Sequence, residues 1–179
     1  MRFSRIFLLI GFCAVARADS STGLKLADAA LAQVGVTTIY DPSYVKLRYP
    51  GGDLPRSRGV CSDVVIRAFR AIGIDLQVAL HQDMLRHFGA YPQMWGLGAP
   101  DANIDHRRAP NLMRFFERRG KSKSIGERYQ PGDVVAWRLP SGLYHIGIVT
   151  NNAVVHNIGY GTQNEDMLRA FRIIGHYRW

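Results

Sequence analysis

The sequence predicts an α+β domain in which N-terminal helices pack on a C-terminal antiparallel β-sheet. Two observations carry this prediction. Apolar residues recur at helical spacing as far as Arg119, and from Asp133 onward they fall in short β-rich runs. The order is therefore helices first and strands second, which argues for α+β rather than alternating α/β architecture. The chain has 179 residues and is 47% apolar, enough for one domain with a substantial core, and no internal repeat is visible.

Residues Met1 to Ala18 read as an export leader. Arg2 and Arg5 precede the apolar stretch Ile6 to Val15, which closes on the small-x-small pattern Ala16-Arg17-Ala18. That stretch is about half of the roughly 20 apolar residues needed to span a bilayer, so cleavage after Ala18 is expected rather than anchoring. Lipidation at Cys13 is not expected, because Phe12 stands where a lipoprotein signal needs a small residue. The expected organisation is a leader, 1–18, and a single domain, 19–179, that is periplasmic or secreted and without a transmembrane segment.

The first helix is expected over Leu24 to Val34, with Ser20, Ser21 and Thr22 as caps and Gly35 as its stop. Val36 to Val60 carries Pro42, Pro50, Gly51, Gly52, Pro55 and Gly59 and reads as a long irregular segment, a kind that is usually functional or disordered. Cys61 to Ile72 is a second helix with Val64, Val65, Ala68, Phe69 and Ile72 on one stripe and Gly73 beyond it. Leu76 to Phe88 and Asn111 to Arg119 are a third and a fourth. Four strands follow: Asp133 to Leu139, Tyr144 to Thr150, Ala153 to Ile158 and Phe171 to Tyr177. Pro-Ser-Gly, Asn-Asn and Gly-rich turns separate them, as in an antiparallel meander.

Cys61 is the one cysteine that remains after leader removal, so no internal disulfide is open to it. It follows Gly59-Val60 and opens a helix, where free N–H groups and the positive dipole end favour a thiolate. That makes Cys61 a candidate nucleophile. With Asn151-Asn152 as a two-residue turn, Gly147 pairs with His156 and His145 with Ile158, so His145 and His156 share a face as diagonal neighbours. His145 is then the candidate base and His156 the group that fixes its tautomer. A three-residue turn would put Asn157 in place of His156.

These residues resemble the NlpC-type, papain-like cysteine peptidases. The resemblance rests on Gly59-Val60-Cys61-Ser62-Asp63 and on Pro131-Gly132-Asp133-Val134-Val135 leading into Tyr144-His145-Ile146-Gly147-Ile148-Val149. Val154-Val155-His156, and Ala29 to Gly35 followed by Tyr40, complete it. More narrowly, Pro100 to Arg108 and Gly175-His176-Tyr177-Arg178 resemble the YijF-like family, long catalogued as a domain of unknown function. Asp63 departs from the NlpC-type pattern, which has a small glycine there.

The resemblance implies a papain-like fold and amide hydrolysis in peptidoglycan stem peptides, with Cys61, His145 and His156 catalytic. The helix-start N–H of Cys61, with Tyr40, would stabilise the oxyanion. Trp95 to Arg108 would bind substrate ends, Arg107 or Arg108 taking a carboxylate and Asp105 an amine; the alternative is a loop tied by Asp–Arg pairs. No cofactor or metal is called for, since no His-Glu-x-x-His spacing is present. The formal net charge is +9, but the basic residues are dispersed and no aromatic-interleaved motif accompanies them, so nucleic acid is not an expected partner. Two other readings remain open: a non-catalytic cell-wall-binding module, and a thiol acyltransferase or lipid esterase on the same frame.

Overall fold

The computed structural model describes the backbone from Cys13 to Trp179 and side chains from Ser21 onward. The expected leader and its Arg-flanked apolar run thus lie for the most part outside the described residues. Among the described residues four α-helices come first: α1 (Cys13–Leu31), α2 (Cys61–Ala71), α3 (Leu76–His87) and α4 (Ala109–Arg118). Short 3-10 turns at Phe88–Ala90 and Asp105–Arg107 link the last two. A parallel pair, β1 (Ile39–Tyr40) and β2 (Arg58–Gly59), frames the irregular segment before α2.

The main sheet comprises β3 (Val134–Arg138), β4 (Tyr144–Val149), β5 (Val154–Asn157), β6 (Thr162–Glu165) and β7 (Arg172–Tyr177). Its order is β6-β5-β4-β3-β7. The fold is α+β as the period change predicts, but the sheet is not a plain meander. The outer edge of β5 is taken by β6, so the last strand crosses to the open edge of β3, pairing Val134 with Tyr177. Asp133 locks that closure: it accepts from Arg178 Nε at 2.7 Å and lies 2.7 Å from His176 Nε2.

The first helix also differs from its expected bounds. It begins at Cys13 and ends at Leu31, so Ser20, Ser21 and Thr22 lie within it rather than capping it. No proline or glycine interrupts the chain between Cys13 and Thr22 to end the helix there. Its passage over the sheet depends on two glycines. A Cβ at Gly23 would sit 2.5 Å from the Pro131 carbonyl oxygen, and one at Gly132 would sit 2.1 Å from the Gly23 oxygen. Only glycine at both positions lets α1 cross the turn into β3 at this separation.

Strand alternation divides the sheet into two apolar faces. Val134, Ala136, Ile146, Ile148 and Val155 pack with Leu26, Val64, Val65, Phe69, Leu112 and Phe115 of the helices. Val135, Trp137, Val149 and Val154 face the other way, onto Tyr129, Leu168, Phe171 and Ile173. Helix α2 is the spine of the first layer: Val64, Val65, Ala68 and Phe69 are all fully buried. Among the described residues no helix is long and apolar enough to cross a membrane.

Ile148 lies between α2 and the sheet with no exposure. Ile148→Ala is expected to cost about 2–5 kcal/mol in urea denaturation. Leu143→Ala, at a side chain 64% exposed, should stay within about 0.5 kcal/mol.

Candidate active site

The register of one hairpin and the start of one helix build the site. Thr150 N–H donates to the Ala153 carbonyl and Ile148 pairs with Val155, which is the register of a two-residue Asn151-Asn152 turn. That register sets Gly147 opposite His156 and makes His145 and His156 diagonal neighbours. His145 Nε2 and His156 Nδ1 are 3.0 Å apart, with the rings nearly perpendicular at 86°. Gly147 makes room for this, since a Cβ there would stand 2.8 Å from Val154 Cγ1 and 3.1 Å from the His156 Cβ. Asn157 points to the opposite face, where its Nδ2 donates to the Gly59 carbonyl at 3.0 Å. The choice between His156 and Asn157 as partner of His145 thus falls to His156.

Both imidazoles are buried, on the face that carries Trp137, whose ring stacks on His145 at 5.4 Å. Cys61 adjoins β4 from the other side. It packs in the layer that contains Ile146 and Ile148, and the backbone of Ile146 lies against its sulfur. The thiol and the imidazole therefore flank consecutive residues of one strand. The histidines share a face, but it is the face turned away from α2 rather than the one onto which the helix packs.

Cys61 opens α2 as the sequence predicts, but its titration is the reverse of the expectation from the helix dipole. Burial, with a further contribution from the Asp63 carboxylate, pushes the thiol up to about 11. Backbone groups of Ile146, Ser62 and Cys61 offset part of the rise. Desolvation of a thiolate outweighs the helix end here, since dipole effects are typically 0.3–1 kcal/mol, roughly the scale of half a pKa unit. Burial likewise lowers His145 to about 3, with charged His156 disfavouring protonation further. Thiol and imidazole are both neutral near pH 7.

A cavity of about 510 Å³ opens beside Cys61. Tyr40, Tyr44, Trp95, Arg107, Arg108 and Tyr144 are among its walls. Tyr40 reaches it because β1 pairs with β2 immediately before Cys61, Tyr40 opposite Gly59. Burial and then the proximity of Cys61 raise the Tyr40 phenol, so it stays a hydroxyl donor.

Three of the four residues expected to bind substrate line the cavity; Asp105 does not. Arg107 is committed to the fold: it donates to both Asp63 oxygens at 3.0 Å, and to the carbonyls of Asp41 and Ser43 at 2.8 Å. Asp105 is buried, accepting from the Asp101 N–H at 2.6 Å and from Arg108 Nη1 at 3.0 Å. Asp105 and Arg107 are thus engaged in Asp–Arg ties within the fold. Arg108, itself paired with Asp105, also lines the cavity, its guanidinium 4.1 Å over the Trp95 ring.

Sequence reasoning missed Asp63, Tyr144 and Glu165. Asp63 accepts the Val60 N–H at 2.7 Å and so caps the helix that presents Cys61. Glu165 Oε2 is 3.1 Å from His156 Nε2. For Asp63 the signal was the acid at the third residue of a helix. For Glu165 there was none.

The match with known proteins agrees with this architecture. Residues 27–179 match the family model described as a domain of unknown function, DUF1287. The chain belongs to this family. It is 50% identical over 175 residues to the uncharacterized protein YijF of Escherichia coli strain K12, covering 92% of this chain and 85% of that one. The solved structure of NlpC1 from Trichomonas vaginalis is similar at a TM-score of 0.52 and 16% identity, over 88% of this chain. The chain spans only 44% of that structure. At this identity the likeness establishes a shared fold, an NlpC-type α+β domain.

Two outcomes follow from the site's electrostatics. Cys61 alkylation by iodoacetamide at pH 7 should be slower than that of a free cysteine by a factor of about 300 from thiolate fraction alone, and should climb with pH toward about 11. Asp63→Ala leaves the Arg107 guanidinium, whose side chain is 2% exposed, without its counter-charge. It should cost about 3–5 kcal/mol in denaturant unfolding, against at most about 1 kcal/mol for Arg58→Ala at the exposed pair with Asp41.

Proposed function

We propose that this chain is an exported cysteine hydrolase that cleaves an amide bond in peptidoglycan stem peptides, with Cys61 as nucleophile. The observation that carries the reading is the position of Cys61. It opens a buried helix of an NlpC-type fold, on the wall of a cavity of about 510 Å³, with its sulfur against the strand residue next to His145. The leader-like N-terminus supports export, and peptidoglycan outside the membrane supplies amides to such an enzyme.

In the reaction sulfur bonds to the scissile carbonyl carbon as the thiol proton is taken up by His145, whose ring has to turn from the face it shares with Trp137 to the helix side of β4. The oxyanion is held by the helix-start N–H of Cys61 and the Tyr40 hydroxyl. The C–N bond then breaks, and the proton on His145 leaves with the amine. Water, deprotonated by the same imidazole, hydrolyses the thioester and restores the thiol. Both groups begin neutral, so the base acts during attack rather than by holding a preformed thiolate. Arg108, stacked on Trp95, supplies positive charge for a substrate carboxylate.

A second reading is a wall-binding module without catalysis. One observation favours it: the imidazoles leave β4 on the face opposite Ile146, while the thiol is held protonated. Digestion of purified peptidoglycan, followed by mass spectrometry of the fragments, separates the two. The hydrolase reading expects fragments with the wild-type protein and none with Cys61→Ala. Fragments absent from both, with sedimentation on peptidoglycan retained in both, would favour the binding module.

A further inference from the structure

The hydrogen-bonded chain that ends at His145 begins at a carboxylate on the edge of the sheet. Glu165 lies on β6, in register with Val154 and diagonal to His156, so it shares the face of both histidines. Its Oε2 is 3.1 Å from His156 Nε2, and His156 Nδ1 is 3.0 Å from His145 Nε2. Among the described residues no hydrogen bond reaches His145 Nδ1.

Donor and acceptor counting orients this chain. An ionised carboxylate can only accept, so His156 Nε2 carries a proton toward it. Neutral imidazole has one N–H, so His156 Nδ1 is then a bare acceptor and must receive Nε2–H of His145. His145 Nδ1 is left bare in turn. The half-exposed carboxylate is in contact with water, whereas the two rings are buried.

We propose that Glu165 is a positioning residue: its carboxylate sets the tautomer of His156 and, through it, leaves His145 Nδ1 as the unprotonated nitrogen of that ring. The proposal rests on the hydrolase reading for its consequence in catalysis, but the tautomers can be measured without substrate. Trp137, in ring contact with both histidines, shields the bond between them from water.

The test uses the full mature chain, labelled with ¹⁵N, and long-range ¹H–¹⁵N spectra that distinguish Nδ1–H from Nε2–H histidines at neutral pH. In the wild type both His145 and His156 should be Nε2–H. Glu165→Lys replaces an acceptor with a donor, so His156 Nε2 must turn acceptor and both rings should switch to Nδ1–H. Glu165→Gln keeps an amide oxygen that accepts, and should retain the wild-type tautomers. Glu165→Leu, with neither donor nor acceptor, should give a mixture. On peptidoglycan, kcat should fall at least tenfold in Glu165→Lys with little change in KM, while Glu165→Gln keeps most activity. Unchanged tautomers in Glu165→Lys, or equal loss of activity in the Gln and Lys variants, would overturn the proposal. Failure of the hydrolase reading shows separately, as fragments that persist in Cys61→Ala or never form in the wild type.

Discussion

The buried ion pair between Asp63 and Arg107 is the contact on which the architecture around Cys61 depends. Asp63 sits in the first turn of α2 and does two things at once. Its Oδ2 takes the Val60 N–H and so closes the helix start, and both its oxygens take the forked guanidinium of Arg107. Arg107 in turn donates to the carbonyls of Asp41 and Ser43, within three residues of Tyr40. Three segments distant in sequence are tied to one carboxylate: the strand bearing Tyr40, the helix bearing Cys61 and the 3-10 turn before Arg108. A small residue in place of Asp63 would leave that buried guanidinium without its counter-charge. The same carboxylate adds to the burial that holds the thiol protonated.

The sheet supplies the second half of the site by a different principle, register. Because side chains alternate, a single two-residue turn decides which of His156 and Asn157 meets His145. Asn157, on the helix side, ties β5 to the carbonyl just before Val60-Cys61, while His156, on the far side, joins His145 under Trp137. Each face of β5 therefore holds one half of the site in place. The relay to Glu165 runs entirely across the strands β4, β5 and β6, and it places the one solvated member at the sheet edge.

Much of this was legible in the sequence where local periodicity and global packing agree. Val64, Val65, Ala68 and Phe69 mark the buried stripe of α2, and the alternation around Asn151-Asn152 gives the hairpin register and the shared face of the two histidines. What escaped was non-local or polar. Strand β6, Thr162–Glu165, has no apolar alternation to announce it and is recruited by the free edge of β5. The segment between Tyr40 and Arg58 reads as loop because its order comes from donors far along the chain: Arg67 on Asp53, Gln77 on the Arg48 carbonyl, Arg107 on Asp41 and Ser43. Whether Arg107 meets a substrate or an Asp 44 residues away cannot be read from the Asp-His-Arg-Arg run alone. The reversed shift at Cys61 escaped for a similar reason, since burial depends on which surfaces close over the sulfur and helix position does not report it.

The central claim is that the sulfur of Cys61 bonds to an acyl carbon during turnover. Its most direct test is to mix the protein with soluble peptidoglycan fragments, quench in acid within the first turnover, and map mass additions on tryptic peptides. The account predicts an acid-stable, hydroxylamine-labile acyl adduct on the peptide that contains Cys61, absent after prior alkylation of that thiol. Fragment cleavage in the same mixture with no adduct on Cys61, or with an adduct elsewhere, would contradict it.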